Sequence, residues 1–232
     1  MTIRKAKAVY LYRTLGFLIS IAGIVLHLLA DHVVETGFMV RHKLAYFTIQ
    51  TNILSAFLFG LLLLQTIKQH RKEGKWRIGM VPPVLHGAIA FYITMTMVGF
   101  WGILAPSTGI PSNHFLLLNT LILHLITPLF TIVDFILFCP HGHLQKRHAS
   151  LWLSYPVGYL VLVILYSRFI QEPYYSFQIG ERTIELMYPY PFLDAGVMHV
   201  WGVIIAVVLI AACFYAVARL FVFIDKKLSE RK

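Results

Sequence analysis

The chain carries too little charge to cover a water-soluble surface. Only 13% of its 232 residues are charged against 58% hydrophobic, where soluble proteins of ordinary composition hold about a quarter charged residues. Acidic side chains are scarcest, 10 against 20 Lys and Arg. The two cysteines, Cys139 and Cys213, both lie in or at the ends of apolar runs. That excludes a disulfide framework and any cysteine-based metal motif. Internal repeats, low-complexity tracts and loops long enough for a soluble domain are also missing, so residues 1–232 read as a single membrane domain. The net charge of +10 is split into short clusters between apolar runs. Such clusters are topology signals, and no nucleic-acid partner is expected.

What the sequence does hold is long apolar stretches. Lipid cannot satisfy an exposed backbone, so a crossing helix takes about 20 apolar residues. Six stretches qualify: Tyr10–Ala30, Leu44–Ile67, Met80–Leu104, Phe115–Cys139, Leu151–Phe169 and Val197–Ile224. The first is too long for a signal peptide, and no small-residue cleavage site follows it. The expected fold is all-α, a polytopic bundle of about six transmembrane helices. Basic residues mark alternate connections: Arg4, Lys5, Lys7 and Arg13; Lys68, Arg71, Lys72, Lys75 and Arg77; Lys146 and Arg147; Lys226, Lys227, Arg231 and Lys232. The others carry only Arg41 with Lys43, and Arg182 with Arg168 at the border. This asymmetry predicts both termini on the cytoplasmic side of the cell membrane. The clusters also suit anionic headgroups, making membrane lipids the expected partners. The longest connection, QEPYYSFQIGERTIELMYPYPFLD, predicts an ordered outer cap, since aromatic rings favour the headgroup level.

Polar groups inside a span are costly unless they face the bundle interior. On the second span Thr48, Thr51, Asn52 and Ser55 recur at i, i+3, i+4 and i+7, one helical face. On the fourth, Thr120, His124, Thr127, Thr131 and Asp134 form a comparable stripe. Facing stripes predict a polar cleft between these helices. The plain alternative is that each hydroxyl bonds to its own helix or glues helices together. His27, His86 and His199 read as packed interior histidines, and His141, His143 and His148 as ordinary interfacial ones. His124 stands apart because hydroxyls flank it on its own face. From the helical rise, Thr48 lies about 6 Å, Thr51 about 10 Å and His124 about 14 Å below the outer ends of their spans. Depth alone slightly favours Thr51 as the partner of His124.

At YFTIQTN (Tyr46 to Asn52), LNTLILHLITP (Leu118 to Pro128) and YPYPFLD (Tyr188 to Asp194) the chain resembles a known group. It is similar to the bacterial integral membrane relatives of the androgen-induced and androgen-dependent TFPI-regulating proteins, with a topology matching over nearly the whole length. The animal members are intramembrane hydrolases whose threonine and histidine cleave esters joining a fatty acid to a hydroxy fatty acid. The resemblance implies Thr48 as nucleophile and His124 as its base, acting on a small lipid ester without metal or cofactor. His124 lies one residue closer to its proline, Pro128, than in the animal pattern. A weak hydroxyl nucleophile needs such a base, and imidazole suits the role. Asn52 and Asn119 are the nearby amides for an oxyanion, Thr51 and Thr127 are further supporting candidates, and Asp134 is too distant to orient the ring.

Three other readings stand beside the esterase. Pro82-Pro83, Pro128 and Pro156 could break helices as in a small transporter or channel. His27, His86, His124 and His199 could hold haem or a metal, although their predicted depths disagree. A non-enzymatic membrane interaction protein is the plainest.

Overall fold

The computed structural model describes residues 3–33, 40–179 and 182–230. Arg231 and Lys232 lie outside these residues, as do the side chains of Arg4, Arg41 and Arg182. Six helical segments are long and apolar enough to cross a membrane: Lys5–Ala30, Phe47–Glu73, Pro83–Ser107, His114–Phe138, Lys146–Ile170 and Ala195–Ser229. We refer to them as the first to sixth spans. All six expected spans are present, with shifted ends. The second was expected from Leu44, but Val40–Ala45 forms a separate 3-10 turn. The fourth ends at Phe138, and Cys139 is already extended. The third runs past Leu104 to Ser107. Apolar turn residues and apolar helix residues have the same hydropathy, so composition could not separate them.

Local chemistry sets the ends. Gly74 closes the second span in the left-handed region at φ 65°, its N–H donating to the His70 carbonyl. His70, Arg71 and Lys72 in that last turn complement the negative end of the helix. Pro83 stands in the first turn of the third span, where a missing N–H costs nothing. The third span occupies the middle of the bundle, with every residue from His86 to Thr96 buried. Around it Phe47, Phe91, Phe135, Trp152 and Phe221 form the core.

Three spans are broken close to a proline. The fifth bends at Leu153, between helices Lys146–Trp152 and Ser154–Ile170, just before Pro156. The third widens into a π-turn at Phe100–Leu104 ahead of Pro106, and the fourth at Ile122–Ile126 ahead of Pro128. A proline ring clashes with the carbonyl four residues back and cannot donate to it, and a wider turn relieves the crowding. A π-turn also rephases whatever follows it, because one extra residue rotates the helix by about 100°. The expected stripe on the fourth span is therefore divided. At its cap-side end His124 faces the second span. Its inner end, Asp134, faces the first and third.

That inner end corrects the reading of Arg13 as a boundary charge. Arg13 is 1% exposed and Asp134 fully buried. The guanidinium donates through Nε and Nη2 to the two carboxylate oxygens at 2.8 and 3.1 Å, and through Nη1 to the Gly79 carbonyl at 2.7 Å. His86 Nε2 stands 3.2 Å from the same carboxylate. Gly79 is needed there, because a Cβ would come within 2.2 Å of the Leu62 carbonyl oxygen. At the same end of the bundle Tyr10 packs on Trp76, and Asp225 holds His141 and the backbone of Gly142 and Leu144. The basic connections thus gather on one face.

The opposite face carries the cap. Strand β1 (Tyr175–Ile179) pairs antiparallel with β2 (Arg182–Leu186), a short hairpin in an otherwise helical fold. The YPYPFLD segment then folds back on itself. Asp194 accepts from Gly196 N as the cap of the sixth span and from Met187 N at 2.9 Å. This is the ordinary preference of aspartate for the N-cap, used here to close a loop. His199, expected inside, is exposed, at φ 59° in a kink of the sixth span.

Candidate active site

Thr48 and His124 meet at the cap-side end of the bundle, Oγ1 to Nε2 at 3.3 Å. The two residues lie at different distances from their helix starts, one residue after Phe47 and ten after His114. That offset of nine residues corresponds to about 13 Å at a helical rise, so the second span starts deeper in the bundle than the fourth. Thr51, which depth favoured, points elsewhere. Its hydroxyl bonds Thr96 Oγ1 at 2.7 Å and the Thr48 carbonyl at 3.1 Å.

The imidazole has a defined tautomer. Nδ1 lies 3.1 Å from the Thr120 carbonyl, which can only accept, so Nδ1 carries the proton. In the neutral ring Nε2 is then the acceptor, and the Thr48 hydroxyl donates to it. The ring is further fixed by Phe100, stacked with centroids 4.0 Å apart. Pro128 leaves the His124 carbonyl without its helical donor, and Trp101 Nε1 supplies one at 2.9 Å. The π-turns of the third and fourth spans are thereby joined at the histidine.

The two amides are engaged in packing. Asn52 Nδ2 donates to the Thr48 and Leu123 carbonyls at 2.8 and 3.1 Å. Asn119 Nδ2 donates to the Gly23 carbonyl at 2.8 Å. Thr127 is buried below the site, its hydroxyl without a hydrogen bond among the described residues. Asp134 belongs to the Arg13 cluster at the other end.

The group that sequence reasoning missed is Tyr190. Its hydroxyl approaches the Thr48 side chain, the Phe47 and Thr48 backbone, and Tyr159. Burial pushes this phenol above its ordinary range, and the neighbouring polar groups of Phe47, Thr48 and Tyr159 pull partly against the shift. It therefore stays protonated, a neutral donor at the positive end of the second span. Aromatic contacts hold it: Tyr46 edge-on at 6.0 Å and Phe192 stacked at 5.2 Å. The only signal in the sequence is the pairing of tyrosine with a turn that a capping aspartate closes.

Two chambers adjoin Thr48. An apolar slot of about 230 Å³ lies among the third, fifth and sixth spans and is lined by Met95, Gly99, Pro156, Leu160 and Phe214. A larger vestibule of about 820 Å³ is lined by His27, Lys43, Ser107, Thr120, His124 and Tyr188. Thr48, Phe100, Leu104 and Tyr190 line both. Lys43 is nearly fully buried and donates to the His27 and Leu28 carbonyls. His27 borders the vestibule, His86 the Arg13 cluster, and His199 the exterior. No group of three or more His, Cys, Asp or Glu able to hold a metal occurs among the described residues.

The chain matches no protein-family model, no curated protein and no solved structure.

Proposed function

We propose that the protein is an intramembrane lipid ester hydrolase with Thr48 as nucleophile and His124 as general base. The observation that carries this is the contact of the Thr48 hydroxyl with the unprotonated face of His124, at the junction of an apolar and a polar chamber. As Thr48 Oγ1 attacks an ester carbonyl, its proton passes to Nε2. Imidazolium then protonates the departing alcohol oxygen, and a water activated by the same ring releases the acid. The oxyanion forms beside the Tyr190 hydroxyl at the start of the second span, and one such donor is worth about 10²–10³ in rate. The motif resemblance supports a fatty acyl ester as substrate, with esters of fatty acids and hydroxy fatty acids as its instance. Positive-inside bias supports the basic face in the cytoplasm and the site in the outer half of a cell membrane.

Purified protein given a fluorogenic long-chain ester tests the reading. Hydrolysis is expected, and Thr48→Ala and His124→Ala are each expected to remove it while the melting temperature holds. Turnover insensitive to both changes rules the mechanism out. The two broken spans beside a vestibule favour a transporter as second reading. Solute uptake into liposomes without ester turnover would select it.

A further inference from the structure

The two chambers divide the substrate. His124 lines the vestibule and does not line the slot, whereas Thr48 lines both. On the reading of Thr48 and His124 as nucleophile and base, this fixes which half of an ester goes where. Thr48 Oγ1 bonds to the carbonyl carbon, and the carbonyl π pair moves onto oxygen. When it returns, the bond from carbon to the alcohol oxygen breaks, and that oxygen takes the proton held on His124 Nε2. The departing oxygen must therefore lie on the His124 side, in the vestibule. The acyl chain, now esterified to Thr48, has the slot left to it.

We infer that the apolar slot is the acyl-chain subsite and that Gly99 sets how long a chain it takes, while the alcohol half occupies the vestibule. The chemistry of the walls agrees. The slot is bounded almost wholly by aliphatic and aromatic carbon, and Val98, Ile103 and Val157 at its rim are exposed on the apolar flank of the bundle. An alkyl chain reaches it from lipid without crossing water. The vestibule has hydroxyl, imidazole and ammonium groups on its wall and more than three times the volume, which suits a polar or bulky alcohol. Gly99 borders the slot, and a Cβ built on it meets nothing within 4 Å. A larger side chain there projects into space that the chain would use.

The test is kcat/KM for an ester series with one alcohol and acyl chains from acetyl to palmitoyl, measured on the full-length protein. Gly99→Leu is expected to lower the long-to-short ratio at least tenfold, and Gly99→Ala to lower it less. Gly102→Leu is the control. It is equally open but borders neither chamber, and should leave the ratio alone. A ratio unmoved by Gly99→Leu, with turnover still dependent on Thr48, overturns the slot assignment and spares the hydrolase. Absence of Thr48-dependent turnover sinks the hydrolase instead. Binding then decides the slot through photolabelling by a fatty acid with a terminal diazirine. Labelling of the third, fifth and sixth spans that Gly99→Leu abolishes supports an alkyl-chain site. Labelling that ignores the substitution overturns it.

Discussion

Two buried polar clusters sit on the fourth span, about three turns apart, and they differ in what surrounds them. At Asp134 each carboxylate oxygen has a donor from Arg13, the pair is at most 1% exposed, and neither Arg13, His86 nor Asp134 borders a chamber. At His124 the bond to Thr48 is longer, 3.3 Å, and the threonine opens onto empty space on two sides. A buried ion pair that borders neither chamber fixes helices relative to one another. On the proposed reading, a hydroxyl loosely bonded to an imidazole, with room for a substrate beside it, is arranged for chemistry. The costlier cluster in the membrane is thus the structural one.

The largest expected effect breaks the outer cluster. Thr48→Ala should reduce kcat/KM by about 10⁴-fold or more. The fold should lose only about 1 kcal/mol, since one hydrogen bond of modest geometry is removed. A collapse of the melting temperature alongside activity would make the hydroxyl structural and erase the contrast. The inner cluster should behave in the opposite sense. Asp134→Asn leaves the Arg13 guanidinium buried without its counter-charge, costing about 3–5 kcal/mol in detergent unfolding measurements. The paired change Arg13→Met with Asp134→Leu should recover most of that loss. If Asp134→Asn abolished turnover while stability held, the structural assignment would fail.

The six spans were legible because lipid imposes a length and a composition on each crossing, and the polar stripes because such groups are few within them. Depth along those stripes favoured Thr51, and only the motif resemblance implied Thr48. Three features were hidden for physical reasons. Arg13 finds its partner 121 residues away, so within the sequence it looks like any headgroup charge. The stripe on the fourth span assumes 3.6 residues per turn, and Pro128 is the only hint that a π-turn divides it. Tyr190 reads as one more interfacial ring. Its role depends on the turn that Asp194 closes through Met187 and Gly196, a tertiary fact. The cap was expected to be ordered, but its hairpin was not foreseen, because short strands lack the length that makes a span visible.

Tyr190→Phe sharpens the outer cluster next. It preserves the ring contacts with Tyr46 and Phe192 and removes only the hydroxyl, so kcat should fall about 10²–10³-fold with KM nearly constant. A phenol donates only while protonated. Because burial raises the value for Tyr190 above the ordinary 10, the wild-type rate should show no loss from this group up to about pH 10. A decline centred well below that, absent in Tyr190→Phe, would mean the phenol ionises early and cannot serve as the donor.

The smallest effect expected tests whether the π-turns position the base. Trp101→Phe keeps an aromatic ring but strips the donor from the His124 carbonyl. Leaving that carbonyl unpaired costs about 1–3 kcal/mol, and the shift it permits in the imidazole should lower kcat about tenfold. Pro128→Ala supplies the missing helical N–H to the same carbonyl, so in that background Trp101→Phe should cost much less. A double-mutant cycle on stability and on kcat reads the coupling directly. Additive losses would mean that indole and proline act independently, and that the two interrupted helices meet at His124 without holding it.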